Sequence, residues 1–412
     1  MRMQVLTTYC HGYLPMEQIV ETVLQSMSNI KKPQRVFMAS LFTVLMVFQG
    51  NATFRNMSRY SEMSERRFSR WYRKDFDFSQ FNTNLQLHSL PKKKDRIAAI
   101  DASFMSKSGK KTDGLGWFYN GSAGEAQRGL EISMVCTVDL SSNTAYALEA
   151  LQTIDQAGKT RVDLYAEQVV KLAPKLKQQS IKYMAADAYY SKIKFVTPVV
   201  SSGLHLVGKL RVDSDLKWLY EGEYSGFGRP QKYDGKIDFE EDLNRFDCIG
   251  FLDDGVEVYS KVVYSKALKR KIKVVMLRWD KGDKIGRALL YSTDIGLDTM
   301  TLISYYKARF QIEFLFRDAK QYTGLTHCQS RCKDAIHTHV NSSLIALNLM
   351  KLEDRITKQT EDETVISIAS WKRKKHNEHL MGRLIDELGL SMNSEKVAKA
   401  YSKLSGYGAI AA

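Results

Sequence analysis

The pattern of apolar and polar positions divides the chain into a helical part, an alternating strand–helix part and a β-rich part. In the first part, residues 1–92, an apolar stretch at 36–48 predicts a buried helix, because a membrane-spanning helix needs about 20 apolar residues. Ser64 is suited to be the N-cap of a further helix from Glu65 to about Lys74. The region is therefore predicted to be all-α, with a helix-turn-helix-like unit at 54–75.

The helix that begins at Glu65 has two chemically different faces. At about 100° per residue, its cations fill one arc and its aromatic side chains fill the opposite arc. A helix that docks its aromatic face on a core presents the cationic face to DNA phosphates or to a major groove, and a solvated surface helix is the alternative. The pattern favours DNA contacts by Arg66, Arg70 and Arg73.

Residues 95–212 alternate between strand and helix patterns. The order strand, strand, strand, helix, strand, helix, strand predicts a mixed sheet with helices on its faces, an α/β fold. The strands are predicted over residues 96–101, 130–139, 144–153, 181–186 and 204–210.

The chain changes character after residue 212. Glycines, aromatic residues and alternating patterns predict an antiparallel β insertion over 213–296. One long helix is then predicted from about Thr299 to Tyr322, and another over 339–356. The charged tail, 359–412, is predicted to be helical, with a role in dimerisation or DNA contact.

Composition and charge narrow the class of protein. The chain has 412 residues, of which 44% are hydrophobic, so a disordered chain is excluded. The net charge of +15 points to a polyanionic partner, most often nucleic acid. Five scattered cysteines argue against a disulfide framework, and no apolar run has the length of a membrane span. A cytoplasmic protein, associated with the nucleoid when bound to DNA, is expected.

Acidic residues at the ends of apolar runs are candidates for chemistry. Asp101 closes one run and Asp187 closes another, although aspartate also starts turns. On the predicted helix 299–322, four positions fall within about 60° of one another and form a stripe of mixed chemistry, for which a solvated face is the alternative. These positions are Tyr306, Arg309, Glu313 and Lys320.

Together these residues resemble the DDE transposases of bacterial insertion sequences, in the branch marked by a Tyr-Arg-Glu-Lys signature. The contexts IAAIDAS at 97–103, MAADAYYSK at 184–192 and YKARFQIEFLFRDAK at 306–320 are similar to that family. The resemblance covers roughly residues 95–355. It implies a ribonuclease-H-like core with a five-stranded mixed sheet, formed by 95–212 and 297–358 and interrupted by the β insertion.

The resemblance implies that Asp101, Asp187 and Glu313 are the catalytic residues and the ligands of two Mg²⁺ (or Mn²⁺) ions. Hard cations favour carboxylate oxygens, and three carboxylates that converge without a cation would repel one another. We therefore expect Asp101 to bridge both ions, with Asp187 on one ion and Glu313 on the other.

Five further side chains are predicted DNA contacts. Three of them lie about 6–10 Å along the helix from the catalytic glutamate, where they can hold backbone phosphates beside the cut: Tyr306, Arg309 and Lys320. Trp279, in the insertion, is similar to a tryptophan that stacks on a displaced base in related transposases that form hairpin ends, with sheet packing as the alternative. Arg229 lies in a GFGRPQK stretch similar to a minor-groove Gly-Arg-Pro hook without its leading arginine, for which a plain turn is the alternative.

A zinc site is a weaker reading of the chain. Histidines and cysteines cluster between residues 327 and 339, but their spacing matches no closed Cys2His2 pattern, so packing histidines and free thiols are expected.

The sequence thus predicts a cut-and-paste transposase that acts on double-stranded DNA with terminal inverted repeats and inserts it into target DNA. The resemblance implies a homodimer in the synaptic complex, and no membrane partner is expected. A metal-dependent endonuclease without strand transfer would use the same three acids. A DNA-binding repressor descended from a transposase is disfavoured, because such a protein would be expected to have lost at least one of them.

Overall fold

The computed structural model describes residues 16–91, 95–224, 226–253, 255–280, 282, 284–357 and 365–410. The regular elements among the described residues before 92 are helices. Their helices are α1 Met16–Ser26, α2 Lys32–Val47, α3 Phe54–Met57, α4 Glu65–Trp71 and α5 Phe78–Ser89.

Helix α2 is the predicted buried helix, and it begins four residues earlier than the apolar run, with a proline in its first turn. Helix α4 begins after Ser64, whose Oγ accepts the N–H of Arg67 at 3.4 Å, so the predicted N-cap is confirmed. Helix α4 ends at Trp71, three residues before the predicted end.

The burial of individual side chains confirms that α4 has one aromatic face and one cationic face. Phe68 and Tyr72 are fully buried, and Trp71 stacks on Phe37 of α2 with ring centroids 5.6 Å apart. Arg66 and Arg70 are exposed on the other side, together with Arg73 just beyond the helix. The cationic face is therefore free to meet a polyanion, and its contact with DNA stays a prediction.

The N-terminal helices share their core with the rest of the chain. Their buried apolar side chains belong to one hydrophobic cluster that also contains residues of the sheet and of α10, Lys333–Thr357. Helix α5 packs on strand β4, Thr144–Gln152, and on α10. The predicted domain limits stay predictions.

The predicted mixed sheet is present. Its first strands, in chain order, are β1 Arg96–Ser106, β2 Gly116–Asn120, β3 Glu125–Asp139, β4, β5 Tyr183–Ala185 and β6 His205–Leu210. Strand β1 pairs antiparallel with β3 and parallel with β5, and β5 pairs parallel with β6. Helices α6 Arg161–Gln178 and α7 Ile193–Ser201 make the connections. The order β4-β3-β1-β5-β6 is compatible with a ribonuclease-H-like fold.

Two strand predictions need correction. Strand β1 continues five residues past Asp101 to Ser106, because β3 pairs with it along its whole length. Strand β2 was not predicted; it has five residues, and its Trp117 and Tyr119 are exposed. It pairs with the beginning of β3, which starts at Glu125.

The β insertion is antiparallel, as predicted, with strands β7 Leu216–Leu219, β8 Tyr233–Lys236, β9 Asp247–Phe251, β10 Glu257–Ser265, β11 Arg270–Asp280 and β12 Ile285–Ser292. It continues the core sheet, because β12 pairs antiparallel with β6. The expected five-stranded sheet is therefore part of one twelve-stranded sheet within the described residues. An edge strand leaves backbone groups unpaired, and β12 satisfies those of β6.

The single helix predicted over 299–322 is two helices, α8 Thr299–Ala308 and α9 Gln311–Tyr322. Between them, Arg309 and Phe310 donate their N–H groups to carbonyls three residues earlier, at 3.3 and 3.1 Å, so the backbone tightens there. Helix α10 is followed by α11 Ile368–Glu387 and α12 Glu395–Ser405. Among the described helices, none is both long and apolar enough to cross a bilayer.

Two asparagines of α10 complete the hydrogen bonds of strand β4. The Asn341 side chain accepts the N–H of Ala150 at 2.9 Å and donates to its carbonyl at 2.8 Å, and Asn348 does the same for Ala147 at 2.9 and 2.8 Å. A bulge of β4 between Ala147 and Glu149 makes the two alanines present their backbone groups on the same side. Helix α10 thus takes the place of a neighbouring strand.

Replacing Asn348 by alanine should lower the free energy of unfolding by about 2–4 kcal/mol. The buried N–H of Ala147 would lose its side-chain partner, and the removed amide would leave a cavity. Urea unfolding followed by circular dichroism measures the change. Asn393→Ala, at an exposed position, is the control and should stay within about 0.5 kcal/mol of the wild type. Equal stability of both variants would contradict this role for α10.

Candidate active site

Parallel pairing brings Asp101 and Asp187 to the same part of the sheet. Ala99 of β1 is aligned with Ala185 of β5, and each aspartate follows its alanine by two residues. Asp187 lies just beyond β5, where its Oδ1 accepts the N–H of Tyr189 at 2.8 Å and caps a short 3₁₀ turn. Neighbouring parallel strands thus deliver two carboxylates to one place.

Glu313 reaches this place from α9. It lies in the first turn of that helix, and α9 packs on β1. Lys320, two turns further on, donates from Nζ to the Ser103 Oγ at 2.8 Å and to the Phe104 carbonyl at 3.2 Å. These bonds attach α9 to the half of β1 that follows Asp101.

The three acids act on one another electrostatically. Burial raises the pKa of Asp101 to about 6, and the negative charges of Asp187 and Glu313 push it in the same direction. The N–H of Ala102, which Asp101 accepts at 2.8 Å, and the charge of Arg309 act against this rise. The ionised form of Asp101 is therefore costly unless more positive charge is present.

Arg309 supplies positive charge from the junction of α8 and α9. Its Nη2 lies 3.0 Å from the Glu313 Oε1, and its side chain is 14% exposed. Burial opposes the charged form, but Tyr306, Asp101 and Glu313 together raise the pKa of Arg309. Its Nε is buried without a hydrogen-bond partner among the described residues, so the guanidinium retains a donor for another group.

Tyr306 lies in the last turn of α8, with its ring centroid 5.8 Å from the Arg309 guanidinium carbon. Burial raises the pKa of Tyr306, so the phenol keeps its proton and can donate a hydrogen bond. Burial also lowers the pKa of Lys320. Tyr306 and Arg309 of the predicted helical stripe thus lie beside the acids, whereas Lys320 contacts β1 beyond Asp101, and a helix junction interrupts the stripe.

The structure does not bring Arg229 to these acids. It is exposed in the connection between β7 and β8, at the end of the sheet opposite the core strands. Trp279, in β11, faces Gly286 of β12, and a Cβ on that glycine would lie 2.4 Å from the indole. This close packing supports the sheet-packing alternative for Trp279, and its stacking on a base stays a prediction.

Comparison with known families agrees with this geometry. The family model described as "Transposase DDE domain" matches residues 92–349, more than half of the chain. The chain belongs to the DDE transposase family. A search of curated proteins finds no match. Transposases of this family cut and transfer DNA strands, which agrees with a chain of net charge +15.

The acids of this transposase fit divalent cations by their chemistry. Within the described parts of the chain, no three acidic, histidine or cysteine side chains converge closely enough to hold one ion together. The three carboxylates instead form a looser set, in which the charges of Asp187 and Glu313 oppose ionisation of the half-buried Asp101. Carboxylate oxygens are the ligands that Mg²⁺ prefers, and a cation would stabilise the ionised form of Asp101.

Two histidines of the cluster between residues 327 and 339 are bonded to the backbone. His339 forms a hydrogen bond with the carbonyl of Gly324 at 2.7 Å, and His327 accepts the N–H of Ala52 at 3.1 Å. Burial lowers the pKa of His339 to about 4, so its ring stays neutral. Both histidine rings thus form hydrogen bonds with the backbone.

Sequence reasoning missed a layer of residues beside the acids. Glu131 of β3 is buried and accepts a hydrogen bond from the Tyr165 hydroxyl of α6. Tyr190 is also buried; burial raises its pKa, and the nearby charges of Asp101 and Asp187 add to the rise. A glutamate inside the apolar run of β3 and the tyrosine pair after Asp187 were the available signals.

Replacing Asp101 by asparagine should stabilise the metal-free transposase at neutral pH. The pKa of Asp101 rises from 3.8 to about 6 on folding, so the folded state keeps a proton that the unfolded state has released between those values. The wild type therefore loses stability as the pH rises through this window, and the variant does not. At pH 7.5 the variant should be more stable by roughly 2–3 kcal/mol.

Urea unfolding in EDTA between pH 4 and 7.5 measures this difference, which should shrink as the pH falls. Asp386→Asn, which removes an exposed carboxylate, is the matched control and should show no such trend. A difference that is independent of pH would contradict the assigned cause.

Proposed function

We propose that the protein is a cut-and-paste transposase of the Tyr-Arg-Glu-Lys branch. It cleaves DNA at the ends of an insertion sequence and transfers the freed 3′-hydroxyl into target DNA. One observation supports the proposal: Asp101 and Asp187 each follow by two residues one of a pair of aligned alanines in neighbouring parallel strands, and α9, which packs on β1, carries Glu313 in its first turn. A structural role alone gives no reason to collect three acids in this way.

Asp101, Asp187 and Glu313 would hold two Mg²⁺ or Mn²⁺ ions, with Asp101 as a ligand of both, Asp187 of one and Glu313 of the other. When bound, such ions supply activation of the attacking oxygen and stabilisation of the leaving oxygen. The chain itself keeps Asp101 poorly solvated, which strengthens its attraction for cations.

Three neighbouring side chains are suited to hold the DNA backbone beside the cut. The buried guanidinium of Arg309 has a donor without a partner among the described residues, and the Tyr306 hydroxyl keeps its proton. Lys320 holds its ammonium group over β1. Phosphate oxygens accept hydrogen bonds from all three groups, so these residues position the strand while the acids act on it.

Specific end binding is assigned to the exposed cations of α4, Arg66 and Arg70, with Arg73. Trp279 and Arg229 are proposed as further DNA contacts from the insertion. The DNA partner carries terminal inverted repeats, and two copies of the chain act in the synaptic complex, with the tail after residue 359 in dimerisation or DNA contact. The protein would act in the cytoplasm, on the nucleoid.

Replacing any of the three acids by its amide, as in Asp101→Asn, Asp187→Asn or Glu313→Gln, should reduce strand cleavage at least 1000-fold (a rough expectation for loss of a metal ligand). Binding to the same DNA should change less than about threefold, because phosphate contacts by cations dominate affinity. A labelled duplex with the inverted repeats that flank the coding sequence, incubated in Mg²⁺, reports cleavage and joining.

The control for this assay is Asp386→Asn, which should cleave as the wild type does. Full cleavage by any of the three amide variants would contradict the site. Cleaved ends without joined products, with both ends and target DNA supplied, would favour an endonuclease over a transposase.

Replacing Lys320 by glutamine should weaken DNA binding about tenfold at 0.1 M salt. One phosphate contact would be lost, so the slope of log K against log salt should become shallower by about 1. Fluorescence anisotropy over a range of salt concentrations measures both quantities. An unchanged slope would mean that Lys320 only anchors α9 to β1.

A further inference from the structure

A basic cavity lies beyond the carboxylates, where β1 ends. It has a volume of about 670 Å³ and is lined by the connection after β1, by the connection between α9 and α10, and by residues near Asn51. Four of its lining side chains are cations, and of the described residues that line it none is acidic. The cations are Lys107, Lys110, Lys111 and Arg331.

The walls of this cavity are bonded to one another. Lys107 donates from Nζ to the carbonyl of Cys328, and the N–H of Asp113 donates to the carbonyl of Arg331 at 2.8 Å. Asp113 is the first acidic residue that follows the lysines of the cavity in the chain, and its carboxylate accepts the N–H of Lys333 at 3.0 Å. The two connections are therefore held together, with their cations on a shared surface.

The wall formed by residues near Asn51 is held in place as well. The N–H of Ala52 donates to His327 Nδ1 at 3.1 Å. Gly324 has a φ of +73°, and a Cβ there would lie 2.6 Å from the Ala52 Cβ, so glycine allows the two segments to approach. The cavity is thus formed before any ligand binds, which reduces the ordering cost of binding.

The chemistry of the lining fits a phosphodiester backbone. Lysine and arginine neutralise phosphates, and the remaining polar lining residues are serine, threonine, asparagine, glutamine and histidine side chains that form neutral hydrogen bonds with phosphate and sugar oxygens. Lys110, Lys111 and Arg331 are exposed, so a polymer can reach them from solvent.

The cavity lies at a defined distance along β1 from the proposed site of cleavage. Strand β1 runs from Asp101 past Ser103, where Lys320 is bound, to Ser106 at the cavity. Five residues of strand span about 17 Å. Duplex DNA advances about 3.4 Å per base pair, so this distance corresponds to about five base pairs.

We propose that this cavity binds the backbone of the same duplex that is cut, about five base pairs from the scissile phosphate. This inference rests on the proposed function for the location of the cut. The cavity would then have a positioning role. Its cations lie beyond the Lys320 contact along β1 and hold the duplex in register over the carboxylates.

The test compares two double variants of the full chain. Lys110→Gln with Lys111→Gln removes two cavity charges. Lys177→Gln with Lys182→Gln is the control and removes two exposed charges near the start of β5, whereas Asp187 follows the end of that strand. Both variants change the net charge equally, so non-specific attraction falls equally. DNA affinity is measured by anisotropy over a salt series, and phosphate contacts are mapped by ethylation interference.

For the cavity variant we expect 10- to 100-fold weaker binding at 0.1 M salt and a slope shallower by about 2 than that of the control. Interference should be lost at phosphates about five base pairs from the cut and retained at the cut. Charge reversal, Lys110→Glu with Lys111→Glu, should deepen the binding loss.

Equal slopes for the cavity and control variants would overturn the proposal. A loss of interference that is confined to phosphates at the cut would also overturn the proposal. A slope change without loss of interference at any phosphate would do the same. If the wild type binds DNA with the expected slopes and neither cuts nor joins it, the proposed function fails while backbone binding by the cavity stands. If the wild type cuts and joins DNA and the slopes are equal, only the cavity proposal fails.

Discussion

The candidate site depends on one ionisable acid that is held in the middle of a sheet. Asp101 lies inside β1, with β3 on one side and β5 on the other, and burial holds its pKa at about 6. Two further acids make its ionisation harder, and Arg309 makes it easier. A stable fold would avoid this arrangement, because each buried charge must be compensated. Retaining it is understandable where the compensation comes from a bound cation and its substrate.

The elements around Asp101 hold this arrangement in place. Parallel pairing of β1 with β5 sets Asp187, and the bonds of Lys320 to β1 set the helix that carries Glu313. Strand β12 covers the edge of β6, and the amides of α10 cover the edge of β4, so the core sheet is closed on both sides. The acids are thus built on paired strands and an anchored helix, which position side chains better than loops do.

Positive charge is distributed in a way that suits a long polyanion. It occurs on the outer face of α4, at the α8–α9 junction and in the cavity where β1 ends. The hydrophobic cluster that joins the N-terminal helices to α10 and the sheet gives these surfaces a common support. A duplex can therefore meet several basic surfaces of one body, and each phosphate contact adds to affinity through counterion release.

Local patterns carried much of the information about this protein. The apolar run of α2, the Ser64 cap, the faces of α4 and the alternation of strands and helices are properties of short segments, and the structure agrees with them. The acids at 101, 187 and 313 were predicted through their contexts, because those contexts resemble a family. Boundaries were less well predicted where pairing decided them: β1 continues past Asp101 only because β3 accompanies it.

Only the tertiary structure decided how distant segments act on one another. The continuation of the core sheet into the insertion, the break at Arg309, the anchoring of Lys320 and the basic cavity all arise from contacts between residues far apart in the chain. The raised pKa of Asp101 has the same origin, since burial and neighbouring charges exist only after folding. The sequence by itself determined which residues are the candidates for the chemistry. Their proximity and protonation follow from packing, because Coulomb and desolvation energies depend on distances in space and not on distances along the chain.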